Sequence, residues 1–261
     1  MNEDELNVAL IQYDILWEDP KGNRLRLENI FKNVPTEIDI IVLPEMFSTG
    51  FSMDVSSNAE PMEGDSLSWM REQSCLLNSV IAGSLMVSEN GSFYNRFLFV
   101  FPAGNYEFYD KRHLFSMGKE DEKFLCGRER KIFKIKNFRI LPQVCYDIRF
   151  PVFSRNNDDY DVMINCANWP VSRIDVWKTL LKARAIENQS YVLGVNRIGQ
   201  DKLNIRYSGD SMVVDSKGKV MASATPGEGK VIVSKLSKLS LNRFRRKFPV
   251  LKDRDDFFIS R

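Results

Sequence analysis

The 261-residue chain contains a single histidine, His113. That scarcity excludes a metal site built from several histidines, and it leaves a Cys-His or Ser-His-Asp hydrolase only one residue to use as its base. Cysteine is also sparse. Cys75, Cys126, Cys145 and Cys166 lie far apart, with neither a CxxC pair nor a zinc-like spacing, which fits a reduced cytoplasmic enzyme. Excess charge of one sign is missing too: 37 Lys+Arg face 35 Asp+Glu, a formal net charge of +2. Composition therefore gives no general reason to expect a nucleic-acid or membrane partner. No run approaches the roughly 18 consecutive apolar residues of a membrane span. The acidic start Met1-Asn2-Glu3-Asp4-Glu5 leads straight into an apolar stretch, which is wrong for a signal peptide.

What is present suits a packed enzyme. The hydrophobic share of 43% is enough for a sizeable core, and single domains commonly reach about 250 residues. No Pro/Gly/Ser-rich linker or repeat divides the chain, so residues 1–261 are read as one domain. Leu6 to Ile11 predicts a first buried strand and Gly22 to Phe31 an amphipathic helix. Ile38 to Leu43 is a continuous apolar run, the signature of a strand covered on both faces. Ser66 to Leu77 has helical period, and Ser79 to Val87 is again a strand. Hairpins are expected around Pro102-Ala103-Gly104 and Ser216-Lys217-Gly218. Arg173 to Gln189 is the longest helical pattern, and a basic segment from Lys235 to Lys247 reads as a solvated amphipathic helix over a sheet edge. Helices and strands alternate throughout, which predicts an α/β layered fold with mixed sheets.

Three segments share one pattern: an apolar strand ends and a reactive side chain follows. Ile41-Val42-Leu43-Pro44-Glu45 delivers a carboxylate, Tyr109-Asp110-Lys111 an ammonium, and Gln143-Val144-Cys145 a thiol. Strand ends of open α/β sheets are where active sites gather. A thiol of ordinary pKa is only a few per cent ionised at neutral pH and needs a base or a nearby cation. Glu45 can serve as that base and Lys111 as the stabiliser of thiolate and oxyanion. The backbone N–H of Tyr146 is a natural second oxyanion donor. Taken singly these signals are weak, because a cysteine at the end of an apolar strand is usually a small buried hydrophobe.

Together the segments LPEMF around Glu45, YDKRHLF around Lys111 and VCYDIRFP around Cys145 resemble the Glu-Lys-Cys motifs of the nitrilase superfamily of carbon–nitrogen hydrolases. The resemblance spans nearly the whole chain. Ala167-Asn168-Trp169-Pro170, Trp177, the run Lys182 to Gln189 and Tyr207-Ser208-Gly209-Asp210-Ser211 are similar to the omega-amidase branch. The resemblance implies a four-layer αββα sandwich of nitrilase type, dimerising through outer helices with Arg173 to Gln189 at the interface. It implies hydrolysis of 2-oxoglutaramate or 2-oxosuccinamate through a cysteine thioester. Rivals are a nitrilase, a carbamoylase, another amidase or a non-catalytic binding protein on the same fold. A second glutamate is implied between lysine and cysteine. Glu120 is the candidate, seven residues before Gly127, with Glu122 and Glu129 nearby and Phe124-Leu125-Cys126-Gly127 departing from the small or polar residues usual there.

The chemistry calls for no cofactor or metal, and the expected partner is a small amide plus a second copy of the chain. His113 is expected to have a structural hydrogen-bonding role. Asp147 and Arg149 are expected to pair and fix the turn after the nucleophile. Trp169 is expected against the substrate or in the core. Arg173 suits a substrate carboxylate, but a solvated arginine at a helix start is the expectation. Cys75 and Cys166 are expected in the core and Cys126 in loop packing.

Overall fold

The computed structural model describes residues 2–257; Met1 and residues 258–261, the two ends of the expected domain, lie outside the described residues. The first half of the chain gives the strands β1 (Glu5–Gln12), β2 (Ile40–Val42), β3 (Glu60–Pro61), β4 (Val80–Glu89), β5 (Ser92–Val100) and β6 (Tyr106–Asp110). With them come helices α1 (Pro20–Phe31), α2 (Val55–Asn58) and α3 (Asp65–Leu77). The second half gives β7 (Phe133–Ile135), β8 (Phe138–Val144), α4 (Pro151–Ser154), β9 (Val162–Ala167), α5 (Ile174–Asn188) and β10 (Tyr191–Asn196). It continues with β11 (Ile198–Gln200), β12 (Arg206–Ser208), β13 (Met212–Val214), β14 (Val220–Ser223), β15 (Lys230–Ser237) and α6 (Lys238–Lys247).

Two mixed sheets result. One runs β15-β1-β2-β4-β5-β6, with β3 beside β4, and the other β14-β13-β10-β9-β8-β7. Side chains alternate along a strand, so a strand buried on both faces is apolar along most of its length. In β1, Leu6, Val8 and Leu10 meet the second sheet, while Ala9 and Ile11 meet α1 and α3. In β9, Val162, Ile164 and Cys166 face the first sheet and Met163 faces α5. Each face closes a separate apolar cluster, and the order helix–sheet–sheet–helix is the four-layer αββα sandwich that the resemblance implies.

The helices form where the sequence supplies both a stripe and a stop. Asp19 caps α1 by accepting from Gly22 N at 2.8 Å, and Pro20 occupies the first turn, where no N–H is missed. Trp177, Leu181 and Ala185 stand four apart and press α5 onto β10, each large side chain contributing about 1.5–3 kcal/mol of burial. The helix ends at Gln189 in a left-handed conformation, φ 44°. Ser237 caps α6, and Leu241 carries that helix into the core between the sheets, as the amphipathic pattern predicts. Cys166 is buried as expected, but Cys75 and Cys126 are exposed, which corrects both expectations. The buried side of α3 is Ser66, Leu67, Trp69, Met70 and Ser74, and Cys75 turns one position past it.

Candidate functional site

The ends of β2, β6, β8 and β9 meet where the two sheets face each other, and each delivers one side chain. Glu45 follows β2, Lys111 follows β6, Cys145 follows β8 and Asn168 follows β9. Cys145 opens a short helical turn, Cys145–Arg149, at φ 46°, a left-handed conformation that costs a non-glycine residue about 1–3 kcal/mol. Met46, next to Glu45, is left-handed too, at φ 45°. Backbone strain thus sits beside both the carboxylate and the thiol. The turn is clamped from behind: the buried Arg184 of α5 donates Nε to Ile148 O at 2.9 Å. The Lys182 to Gln189 motif therefore supports the cysteine turn from the outer layer.

Glu45, Lys111 and Glu120 are all buried and in direct contact. Lys111 Nζ donates to Glu45 Oε1 at 2.9 Å and to Glu120 Oε2 at 2.8 Å. Asn95 of β5 bridges the same carboxylates, donating Nδ2 to Glu45 Oε1 at 2.8 Å and to Glu120 Oε1 at 2.9 Å. Phe115 N donates to Glu120 Oε2 at 2.6 Å, so the loop that carries Glu120 is tied back to the strand end. Gly127 closes that loop against the same strand: its N–H donates to Lys111 O at 2.8 Å, and a Cβ there would sit 2.0 Å from Asp110 O. Glu122 and Glu129 point to solvent. The stretch Leu125-Cys126-Gly127 borders a different surface cavity from the one at Cys145, so its unusual composition leaves the cleft beside the thiol untouched.

The charges in this cluster set one another. Burial by itself would lower the pKa of Lys111, but the negative charges of Glu120 and Glu45 outweigh it and hold the ammonium well above the ordinary lysine range. Burial raises the pKa of Glu120, with Lys111 opposing and Glu45 adding to the rise. The Cys145 thiol is pushed well above its ordinary value, first by burial and then by the charge of Glu45, against the pull of Lys111. In the resting site the sulfur accordingly holds its proton, with a carboxylate in place to receive it.

Asn168 fixes that carboxylate. Its backbone N–H donates to Glu45 Oε2 at 2.9 Å and its side-chain Nδ2 to Glu45 O at 2.6 Å. Substituting Asn168→Ala removes the side-chain tether while the backbone bond remains. For the amide hydrolysis that the resemblance implies, the expected result is a fall in kcat of about 10- to 100-fold with KM little changed, measured by steady-state kinetics.

Above the thiol lies a cavity of about 590 Å³. Trp17, Phe51, Phe115, Tyr146, Trp169 and Tyr207 supply aromatic walls, and Arg149 and Arg173 supply positive charge. Tyr146 and Trp169 are both at the wall, and Trp169 reaches the core as well, its ring 5.5 Å from that of Trp177. Two expectations are corrected here. Asp147 does not pair with Arg149. It is buried and accepts from Tyr109 Oη at 2.9 Å, Val144 N at 3.0 Å and His113 N at 2.9 Å. His113 Nδ1 lies 2.8 Å from Asp147 Oδ1 and its ring stacks on Phe150 at 3.7 Å, the structural role expected of it. Arg149 instead turns to the cavity, 5.0 Å above the Trp169 ring. Arg173 is half-buried in the wall over Phe115 at 5.4 Å, not free in solvent.

Other site residues carried little signal in the sequence. Asn95 is a lone amide within an aromatic strand, and that incongruity was its only mark. Asp201, on the loop between β11 and β12, lines the cavity and accepts from Tyr207 Oη at 2.8 Å.

Comparison with known proteins agrees with this architecture. The family model described as carbon–nitrogen hydrolase matches residues 7–246. An omega-amidase, YafV, of Yersinia enterocolitica is 43% identical over 254 residues, covering 97% of this chain and 98% of that one. A 2-oxoglutaramate amidase of Bacillus subtilis is 30% identical over 251 residues, covering 94% and 96%. The crystal structure of a CN-hydrolase superfamily protein from Xanthomonas campestris, with an arsenic adduct in its active site, superposes with a TM-score of 0.96 at 39% identity over the full length of both chains. The strand-end cluster of Glu45, Lys111, Glu120 and Cys145 thus sits in a chain whose whole length matches hydrolases of carbon–nitrogen bonds, and the chain belongs to the carbon–nitrogen hydrolase family.

Proposed function

We propose that the protein is an omega-amidase hydrolysing the terminal amide of 2-oxoglutaramate or 2-oxosuccinamate to the 2-oxo dicarboxylate and ammonia. The observation that carries the reading is a thiol, held beside a buried Glu45–Lys111–Glu120 cluster, at the floor of a cavity that also holds two arginines. Relatives named omega-amidase and 2-oxoglutaramate amidase support it.

In the first half-reaction Cys145 Sγ attacks the amide carbon while Glu45 takes the thiol proton. The Lys111 ammonium and the Tyr146 N–H receive the developing oxyanion. First-turn amides have no acceptor within their own helix, so the Tyr146 N–H is available for this. Glu45 returns the proton to the leaving nitrogen, and ammonia departs from a thioester. Glu45 then removes a proton from water as its oxygen attacks the thioester carbon, and returns that proton to the departing Cys145 sulfur as the carboxylic acid forms. Glu120 holds Lys111 in place throughout. Trp169 and Tyr146 enclose the short carbon chain.

Arg149 and Arg173 fit the carboxylate at the far end of such a substrate, since a guanidinium pairs with a carboxylate in two parallel hydrogen bonds. The test compares ammonia release from 2-oxoglutaramate, a nitrile and an N-carbamoyl amino acid. Arg149→Ala and Arg173→Ala should each raise KM for 2-oxoglutaramate by about 10- to 100-fold and leave turnover of an uncharged short amide nearly unchanged. Equal losses on both substrates would exclude carboxylate recognition.

The same reading extends to residues 1–261 as one domain, cytoplasmic and homodimeric through α5. Four unpaired cysteines fit that compartment, and the exposed Val176 and Ile186 on the outer side of α5 fit that interface.

A further inference from the structure

At the opposite end of β8 from the thiol lies a second cavity, of about 510 Å³. Arg139 stands at its inner end and Cys145 just past the other, six residues away, so the two sites are separated by about 20 Å. The cavity is bounded by the start of β8, the C-terminal end of α5, the helix α6 and the segment 249–254. Six cations line it: Arg139, Lys238, Arg245, Arg246, Lys252 and Arg254. Among the described residues the only acidic side chain on the wall is Asp158.

The nearest buried carboxylate, Asp161, is already shared three ways. Arg139 pairs with it at 3.2 Å, Arg245 at 3.0 Å, and Lys238 makes a further close contact. Burial would raise its pKa, but the hydrogen bonds from Arg139 and Lys238 hold it down at about 2, so it is ionised at neutral pH and supplies one negative charge to three cations. Arg246, Lys252 and Arg254 make no salt bridge among the described residues. Arg254 Nε is buried and finds no acceptor there. Burial keeps Arg245 below the ordinary arginine range, against the pull of Asp161 and Asp158.

A concave site with this surplus selects an anion, and its dimensions exceed one phosphate or sulfate. Four of the six cations are arginines, whose planar donors match phosphate oxygens in pairs. Gln189 and Asn242 add neutral hydrogen-bonding groups, and Pro249 and Leu251 an apolar wall. We propose that this cavity is a second, non-catalytic site for a small polyphosphate anion carrying two or more linked phosphates. The cations line one open concavity of about 510 Å³ rather than an extended face, which favours a small ligand over a nucleic-acid backbone.

Isothermal titration of the full chain tests this at constant ionic strength, with sodium pyrophosphate and ADP as probes and orthophosphate and a short DNA duplex as comparators. One site per chain is expected, at least about tenfold tighter for pyrophosphate or ADP than for orthophosphate. ADP tighter than pyrophosphate assigns a nucleoside polyphosphate, and the reverse order an inorganic one; either supports the site. Arg246 and Lys252 are exposed, so the double variant Arg246→Ala/Lys252→Ala leaves the packing intact. It should bind the probe about tenfold more weakly or worse while hydrolysing amide at the wild-type rate. Absence of saturable binding, undiminished binding by the double variant, orthophosphate matching pyrophosphate, or preference for the duplex would each overturn the proposal.

Discussion

Cys145→Ala is expected to remove ammonia release from 2-oxoglutaramate by at least about 10⁴-fold while leaving the fold in place. The loss is large because Cys145 is the thiol that lines this cavity, whereas Cys166 lies buried within the core between the sheets. The fold survives because the substitution deletes one sulfur at the edge of a cavity and opens no enclosed void. An unchanged circular-dichroism spectrum and melting temperature beside lost turnover is the expected pair of measurements. Retained turnover would refute the assignment of the nucleophile.

The same site predicts the shape of the pH profile. If attack required thiolate formed in advance, kcat/KM would climb about tenfold per pH unit between about pH 7 and about pH 9, because the thiol pKa lies well above its ordinary value. With Glu45 taking the proton during attack, the profile should be flat across that range. A steep rise there would mean that the carboxylate is not the base.

The sequence makes some of this readable for a physical reason. Strands buried on both faces are apolar along most of their length, so β2 declares itself as a run, and Glu45 stands just past the point where that run stops. What a run cannot show is direction. Asp147 and Arg149 are two apart, and side chains two apart on a helical turn point to different sides. One therefore enters the buried network of His113 and Tyr109 while the other faces the cavity. Cys75 fits a helical period equally well on either edge of the α3 stripe, and only packing against Phe31 and Phe47 through Trp69 decides which edge is buried. Asn95 illustrates the deeper limit. Its role arises from two carboxylates delivered by segments 50 and 25 residues away, and no local pattern encodes such a meeting.

That meeting gives the other large effect, at Lys111. Lys111→Met leaves Glu45 and Glu120 buried side by side without their cation. Breaking a buried ion pair from one side costs about 3–5 kcal/mol, so a lower melting temperature is expected together with a fall in turnover of about 10³-fold. The two losses have different origins and can be separated. Glu120 already has a raised pKa, from burial first and from the charge of Glu45. Without Lys111 its pKa rises further. A carboxyl whose folded pKa exceeds its unfolded value is favoured by acid, and that stabilisation is lost as pH rises through the folded pKa. The Lys111→Met variant should therefore be closest to wild-type stability at low pH and fall progressively behind as pH rises. Adding Glu120→Gln removes the surplus charge while keeping a group of the same shape. The double variant Lys111→Met/Glu120→Gln should recover much of the melting temperature at neutral pH and none of the turnover, because the oxyanion still lacks its ammonium. Recovery of turnover with stability would show that Lys111 serves only to neutralise its neighbours, and that the Tyr146 N–H alone carries the transition-state charge.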